Sequence, residues 1–484
     1  TRRLPRAAAR YPRHVDATEL AFAGISAQAE MLRSKQVSSA ELVELYLDRI
    51  ERLDPQLNSF RAVYEERARA GAKEADARIG KGEEAPLLGV PVALKDDLDV
   101  AGEVTYHGTR AFDEPATQDS FHWARIRDAG AVLLGKTNLP ELGIYGFTES
   151  DGWGVTRNPW DLGRTPAGSS GGSGAAVSAG LVGAAAGSDG AGSIRFPAAN
   201  CHLFGLKPQR GRISLAPHGE HWSALTVTGC LSRRVADTAL WMDIASGSDP
   251  SDHDPPAPPG GSYVDAAAKD PGKLRVAWSL KPPRAIAPPI VTDSVKNAVA
   301  RTVDVLQGLG HEVEQCDPDW GQLGNGAAPR YLKGITDSVA EVPYPDRLEP
   351  RTRAIARLGE RIPERLLDRA HTAESTDAAR VNAIFERFDV LVMPTVGEPP
   401  VPVRKWDGKG ALRTIIGMSR TYPFGIPFNY TGQPAASVPA GFTADGLPLS
   451  AQLVAPPNGE QILFSLSAQL EAELRWYEER PPVS

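Results

Sequence analysis

The sequence predicts an α/β fold in which helices cover a buried sheet. Two observations carry this: strand and helix periodicities alternate along the chain, and glycines stand where one element must stop before the next begins. The first helix is predicted over 39–53. Ser38 and Glu41 form a capping box there, and Val37 with Leu42 can close a hydrophobic staple. Leu42, Tyr46, Ile50 and Leu53 then share one face at helical spacing. A more polar helix follows over 63–79. The stretch 88–94 is apolar and β-compatible, with Pro91 marking an edge or a strand's beginning. Residues 121–129 read as a helix stopped by Gly130, and 131–134 as the strand after it. The small-residue run 175–186 reads as a buried helix. Further on, 274–278 is a strand, 294–306 a helix stopped by Gly310, and 311–315 the next strand. The Pro/Gly-rich stretch 248–261 reads as a surface crossing that can link two halves.

Composition narrows the function classes. The 484 residues carry a formal charge of -7, the opposite of the basic stripe a nucleic-acid binder needs. Hydrophobic residues make up 41% and charged residues 23%, as in ordinary globular proteins. No segment reaches the ~18 unbroken apolar residues of a membrane span. Cys201, Cys230 and Cys316 are too few and too scattered for a disulfide framework or a zinc site, and their odd number fits a reducing, cytoplasmic setting. Residues 1–15 are arginine-rich with Arg2-Arg3 near the start. With no apolar segment following, they read as a flexible basic tail rather than an export signal.

Two familiar patterns occur on the wrong elements. Residues 130–137 (GAVLLGKT) match the phosphate-loop pattern GxxxxGK[ST]. That motif needs a loop in its middle and a strand before it, whereas Ala-Val-Leu-Leu favours a strand and a helix precedes it. Residues 168–172 (GSSGG) match the GxSxG nucleophile elbow, which needs a preceding apolar strand and a later acid and histidine. Here 158–167 is a loop, and the last histidine, His371, lies in a polar segment. The Gly/Ser-rich region 163–193 as a whole is more informative. It ends on Asp189-Gly190-Ala191-Gly192-Ser193, where small residues let several backbone N–H groups turn inward as an oxyanion hole.

Taken together, the spaced motifs resemble the amidase signature family. They are GSSGGS at 168–173 with Ser193 24 positions after Ser169, SIRFP at 193–197, GVPVALKD at 89–96 with Gly102, and GAVLLGKTNLPE at 130–141. Downstream come DVLVMPT at 389–395, NYTGQP at 429–434, PAGF at 439–442 and GLPLSAQ at 446–452. The resemblance runs from about residue 18 to 472 and explains the misleading phosphate-loop match. It implies a single large α/β/α domain over 16–484, with a central mixed, mostly twisted sheet covered by helices on both faces. The segment 317–420 is the divergent, substrate-side part.

The resemblance also implies a Ser–Ser–Lys triad. Ser193 would be the nucleophile, Ser169 the bridging serine on a cis peptide bond, and Lys95 the base. Backbone N–H groups of Gly190, Ala191, Gly192 and Ser193 would form the oxyanion hole, with Ser170, Asp189 and Arg195 in support. Asp189 and Arg195 read as a structural pair holding the loop. Ala167 replaces a usual Gly, and Gly190-Ala191 replace a Thr/Ile-Gly pair; both departures bear on loop detail rather than on the triad. A serine hydroxyl is a poor nucleophile without a base in reach, and a lysine can serve only when neutral, against a reference pKa of about 10.4. Burial can lower that value. Lys95 is therefore expected buried and hydrogen-bonded to Ser169 as acceptor. The competing arrangement is an ion pair with Asp96, Asp97 or Asp99, which would hold Lys95 charged. No metal or other cofactor is expected, and neither HExxH nor CxxC occurs.

The expected activity is hydrolysis of C–N bonds in apolar or aryl amides through an acyl-enzyme. Carbamates (urethanes), esters and nylon-type oligomers are further candidates. Trp320, Tyr331, Tyr344 and Trp406 either wall an apolar site or belong to the core. The expected partner is a small-molecule substrate, with no nucleic acid and no membrane, for a monomer or homodimer. Two other readings stay open. One is the amidase subunit of a glutamine-dependent tRNA amidotransferase, although 317–420 shows no glutamine-binding pair. The other is a non-catalytic binding protein on the same fold, against which stand Lys95, Ser169 and Ser193 together.

Overall fold

The computed structural model describes residues 16–484 apart from 220, 254, 285 and 286, so the basic stretch 1–15 lies outside the described residues. Its strands are β1 Phe60–Val63, β2 Pro91–Lys95, β3 Val132–Thr137, β4 Glu149–Ser150, β5 Gly154–Val155, β6 Ala184–Asp189, β7 Phe204–Lys207, β8 Val227–Ser232, β9 Arg275–Trp278, β10 Glu312–Gln315, β11 Val390–Pro394, β12 Ala435–Phe442 and β13 Pro448–Val454. Eleven of them form one sheet, in the order β1-β3-β2-β6-β8-β7-β12-β13-β11-β9-β10, while β4 and β5 pair separately. The sheet is mixed. β2 runs parallel to β3 and β6, and β9 parallel to β10 and β11, with antiparallel pairs between.

The α/β class is what the alternating periodicities predicted, and burial explains it. Strands β2, β3, β6, β8, β11 and β13 are buried at every residue, so neither face of the sheet meets water and both must be covered. The edge strand β10 is the contrast: its Glu312, Glu314 and Gln315 are exposed, a charged edge that discourages pairing with another chain.

Local chemistry places most helices where the sequence did. Ser38 caps helix Ser39–Leu57 in a complete capping box with Glu41, and Asn58 ends it in a left-handed conformation. Helix Phe121–Asp128 is capped by Ser120 and leads into β3. The apparent phosphate loop is therefore a helix stop and a buried strand, and Lys136 within it lies 3.3 Å from Asp96 Oδ1.

One element differs from expectation. The run 175–186 is not a single helix: helix Gly171–Ser178 ends, Gly180 turns the chain at φ 66°, and Ala184 begins β6. Alanine's helix propensity is worth only tenths of a kcal/mol, and a place between β2 and β8 outweighs it. This puts β6 in the middle of the sheet with Ser188 and Asp189 at its carboxyl end.

Candidate functional site

β2 and β6 are parallel neighbours, paired at Ala93 and Ala185, so their carboxyl ends emerge side by side. Crevices beyond the carboxyl ends of parallel strands are where open α/β sheets bind ligands. Lys95 ends β2 and Ser188 precedes the last residue of β6. Ser169 arrives from the loop before helix Gly171–Ser178, after a cis Gly168–Ser169 peptide bond. The small residues of that helix let it sit against backbone: a Cβ on Gly172 would overlap the main chain of Asn138.

Lys95 is fully buried, and its Nζ contacts three side chains. It donates to Ser169 Oγ and Ser188 Oγ, each at 2.7 Å, and lies 3.1 Å from Asp97 Oδ2. Ser188 Oγ donates in turn to Asp97 Oδ2 at 2.5 Å. The serine contact and the acid contact, alternatives from sequence, thus coexist. Of the three candidate acids only Asp97 touches Lys95. Asp96 is held by Arg61 at 2.9 Å and by Lys136, and Asp99 by Thr105 at 2.6 Å and His218 at 2.5 Å. Burial lowers the pKa of Lys95, with Asp97 and then Asp189 acting against it. Burial raises the Asp97 carboxyl, but Lys95 and the Ser188 hydrogen bond outweigh it and hold Asp97 below the usual carboxylate range.

Ser193 and Ser169 line the same cleft, of about 400 Å³. Among the described residues no hydrogen bond joins their hydroxyls. Ser170 ties their segments together: its N–H donates to Ser193 O at 3.2 Å, and its hydroxyl donates to Ser188 O at 3.2 Å.

The loop 190–194 is shaped by Asp189. Its buried carboxylate accepts from the backbone N–H of Gly192 at 2.6 Å, Ile194 at 3.1 Å and Arg195 at 3.4 Å. The Arg195 guanidinium closes a fork on it at 3.0 and 2.9 Å, and also donates to Gln452 Oε1 at 2.8 Å and Asn429 Oδ1 at 2.6 Å. Burial acts to raise the Asp189 carboxyl, yet Arg195 and Asn429 hold it far below the normal range. Gly192 sits at φ 123°, where a Cβ would also meet the Phe196 ring. The Gly192 N–H is turned toward Asp189, and among the described residues the backbone N–H groups of Gly190, Ala191 and Ser193 have no protein partner.

Several cleft residues carried no sequence signal. Ser188 was not singled out, nor were His107, His122, His218 and His221, which also line the cleft. They are far apart in the chain and only the fold gathers them. Asn429 and Gln452 stood out as motif positions, but their bracing of Arg195 is visible only in three dimensions. Of the four aromatics singled out in 317–420, Trp320 and Trp406 are core residues, Tyr331 is half-buried against Trp222, and Tyr344 is exposed. Cys201 and Cys230 are buried and Cys316 half-buried. Among the described residues no three His, Cys, Asp or Glu side chains are grouped to hold a metal ion, and no helix is long and apolar enough to cross a membrane.

A model of the Amidase family matches residues 41–464. The chain is 46% identical to "Putative amidase AmiB2" of Mycobacterium tuberculosis over 471 residues, covering 97% of this chain and 100% of that protein. Among solved structures it is similar to a 6-aminohexanoate cyclic dimer hydrolase complexed with substrate. The TM-score is 0.88 at 31% identity, covering 96% of this chain and 99% of that one. A bacterial aryl acylamidase of the amidase signature family superposes with a TM-score of 0.83 at 26% identity, covering 96% and 98%.

Proposed function

The chain belongs to the amidase signature family of amide-cleaving hydrolases, and on that premise we propose that it hydrolyses small neutral amides through a Ser193 acyl-enzyme, with Ser169 as relay and Lys95 as base. The observation that carries this reading is the 2.7 Å contact between the buried Lys95 Nζ and Ser169 Oγ, at the wall of the cleft that Ser193 also lines. A neutral Lys95 accepts the Ser169 proton while Ser169 accepts that of Ser193. Ser193 Oγ then attacks the carbonyl carbon, and the tetrahedral oxyanion meets the N–H groups of Gly190, Ala191 and Ser193. The relay runs backward to protonate the leaving nitrogen, which departs as an amine. Water repeats the sequence on the acyl-enzyme and releases the acid.

The cleft favours an uncharged substrate. Among the described residues Asp97 and Glu341 line it and no Lys or Arg does, so a carboxylate near the scissile bond is disfavoured. Leu98, Phe112, Leu139, Leu142 and Trp222 supply apolar wall for aryl or alkyl groups. Carbamates and esters share the acyl-transfer route and are secondary substrates of this reading. Matched p-nitroanilide, aryl carbamate, aryl ester and glutamine substrates test it, with wild type against Ser193→Ala. Turnover of the anilide that vanishes in Ser193→Ala is expected. Turnover of glutamine alone, or activity that survives the substitution, would overturn it.

A further inference from the structure

Among the described residues four histidines line the cleft, and three are accounted for by their surroundings. His122 is almost fully buried and accepts from Trp241 Nε1 at 2.7 Å, His107 packs on the Phe112 ring at 5.0 Å, and His221 lies 3.4 Å from Thr226 Oγ1 in its own segment. His218 differs. Its side chain is 58% exposed, yet its Nε2 is held 2.5 Å from Asp99 Oδ2.

His218 belongs to the stretch 214–226, which supplies one wall of the cleft from Ser214 to Thr226. The ends of the stretch are tied to other elements. The Phe121 N–H donates to Ala216 O at 2.9 Å, Trp222 Nε1 donates to Ser338 Oγ at 3.1 Å, and Asn429 Nδ2 donates to Leu225 O at 3.0 Å. Between Ala216 and Trp222, among the described residues, His218 to Asp99 is the one hydrogen bond that reaches another element. The backbone there does not support itself by regular structure, since Trp222, Ser223 and Ala224 are left-handed at φ 54°, 49° and 60°. Both ends of the His218 bond lead to the reaction site. Trp222 packs on the nucleophile loop, where a Cβ on Gly190 would come 3.1 Å from its ring. Asp99 lies four residues past Lys95 and is itself fixed: its carboxylate accepts from Thr105 Oγ1 at 2.6 Å, and its carbonyl from the Ser120 N–H at 3.0 Å.

The strength of this bond depends on charge. A protonated imidazole donating to a carboxylate makes a bond roughly twice as strong as a neutral one. The hydrogen bond to Asp99 raises the His218 pKa above 6.5; burial opposes it, and the charges of Asp99 and Glu341 add to it. Glu341 stands just past helix Gly324–Ala340. The other titratable groups about the pair are His221 in the same stretch, His107 in the loop after Asp99, and Lys136 on β3, which donates to Thr105 at 2.8 Å. Burial holds His107 and His221 down to about 4. The His218 bond is thus at full strength below its raised pKa and weakens as pH rises through it.

We propose that His218 is a positioning residue: its protonated ring, tied to Asp99, latches the 214–226 wall in the arrangement that binds substrate, and loss of the proton relaxes the wall and weakens binding. The proposal rests on the reading of this cleft as the place where Ser193 cleaves amides.

Two arms separate the latch from that reading. In the kinetic arm, wild type, His218→Gln and His218→Lys turn over a neutral p-nitroanilide across the range in which His218 titrates. Wild-type KM is expected to rise ~5-fold through that range as the charge-assisted bond is lost, while kcat keeps its plateau. His218→Gln, a donor without charge, should hold KM at the high-pH wild-type value throughout. His218→Lys, which stays cationic longer, should carry the rise to higher pH. In the binding arm, Ser193→Ala protein with carbon-13-labelled histidine is titrated by NMR with and without the same anilide, the His218 signal being the one of nine that His218→Gln removes. Binding and protonation are reciprocal, so the anilide should raise the His218 midpoint by ~0.7 pH unit, the same ~5-fold read from the other side. A KM that is flat through that midpoint, a change carried by kcat instead, or a midpoint the anilide leaves in place would overturn the latch. Turnover that survives Ser193→Ala while the midpoint still moves would leave the latch standing and remove the nucleophile. Ser193-dependent turnover with an unmoved midpoint would do the reverse.

Discussion

Replacing Arg195 with Met removes the cation from a fully buried pair while keeping much of the side-chain volume. Both Arg195 and Asp189 are 0% exposed, and the guanidinium makes two bonds to the carboxylate and one each to Gln452 and Asn429. Breaking a buried pair from one side destabilises by about 3–5 kcal/mol, because the remaining charge loses its partner without regaining water. Asp189 keeps three backbone N–H donors and Asn429 Nδ2, which pulls its share toward the lower end. Two buried acceptors on Gln452 and Asn429 lose their donor as well, at about 1 kcal/mol each. The expected loss is therefore about 4–5 kcal/mol. Urea unfolding, read as a midpoint shift with an unchanged slope, measures it, and kcat/KM should fall too because Asp189 shapes the nucleophile loop. Arg195→Lys should recover only part, since an ammonium cannot reproduce the fork. The double variant Asp189→Asn/Arg195→Met should be more stable than Arg195→Met alone. A single-variant loss under about 1 kcal/mol, or a double variant less stable than Arg195→Met, would refute the buried-charge reasoning.

Asp97→Asn should shift the rising limb of the kcat/KM–pH profile to lower pH. The carboxylate favours the charged lysine, and without it only Asp189 opposes the effect of burial on Lys95; a limb that moves upward or stays in place would contradict this. Gly192→Ala should lower kcat/KM by on the order of 100-fold, the effect of misplacing an oxyanion-hole donor, because the new Cβ meets Phe196 at a left-handed φ; steady-state kinetics read it. The protein should lose stability in mild acid. Burial holds His122 down to about 4 and His202 to about 3, both from 6.5, so the folded state refuses protons the unfolded chain accepts. Stability from these groups is complete above pH 6.5 and is lost as pH falls toward 4. Denaturation midpoints measured across that range should drop, and His202→Phe should flatten the slope.

Much of this was legible in the sequence because the relevant signals are local or rigidly spaced. The capping box at Ser38 and Glu41 fixed a helix start, and the residues before Lys136 identified a strand where a pattern match suggested a loop. Lys95, Ser169 and Ser193 stand in ordered motifs. Strand β6 was hidden because alanines carry little β-signal, and its place depends on neighbours brought from residues 91–95 and 227–232. The choice of Asp97 over Asp96 as the Lys95 partner is made in the turn that follows β2, closed by the Leu98 N–H on Lys95 O, and no strand periodicity reveals it. The cleft histidines have no such regularity. Their chemistry comes from partners such as Trp241 and Asp99, which no spacing rule links to them.

The central claim is that Ser193 carries the acyl group. Wild-type enzyme mixed with an activated aryl ester should be quenched in acid within its first turnovers, digested, and mapped by mass spectrometry. The account predicts a single acyl adduct on the peptide containing Ser193, absent from Ser193→Ala and accumulating more slowly in Lys95→Met. An adduct on Ser169, or hydrolysis by Ser193→Ala at the wild-type rate, would contradict it.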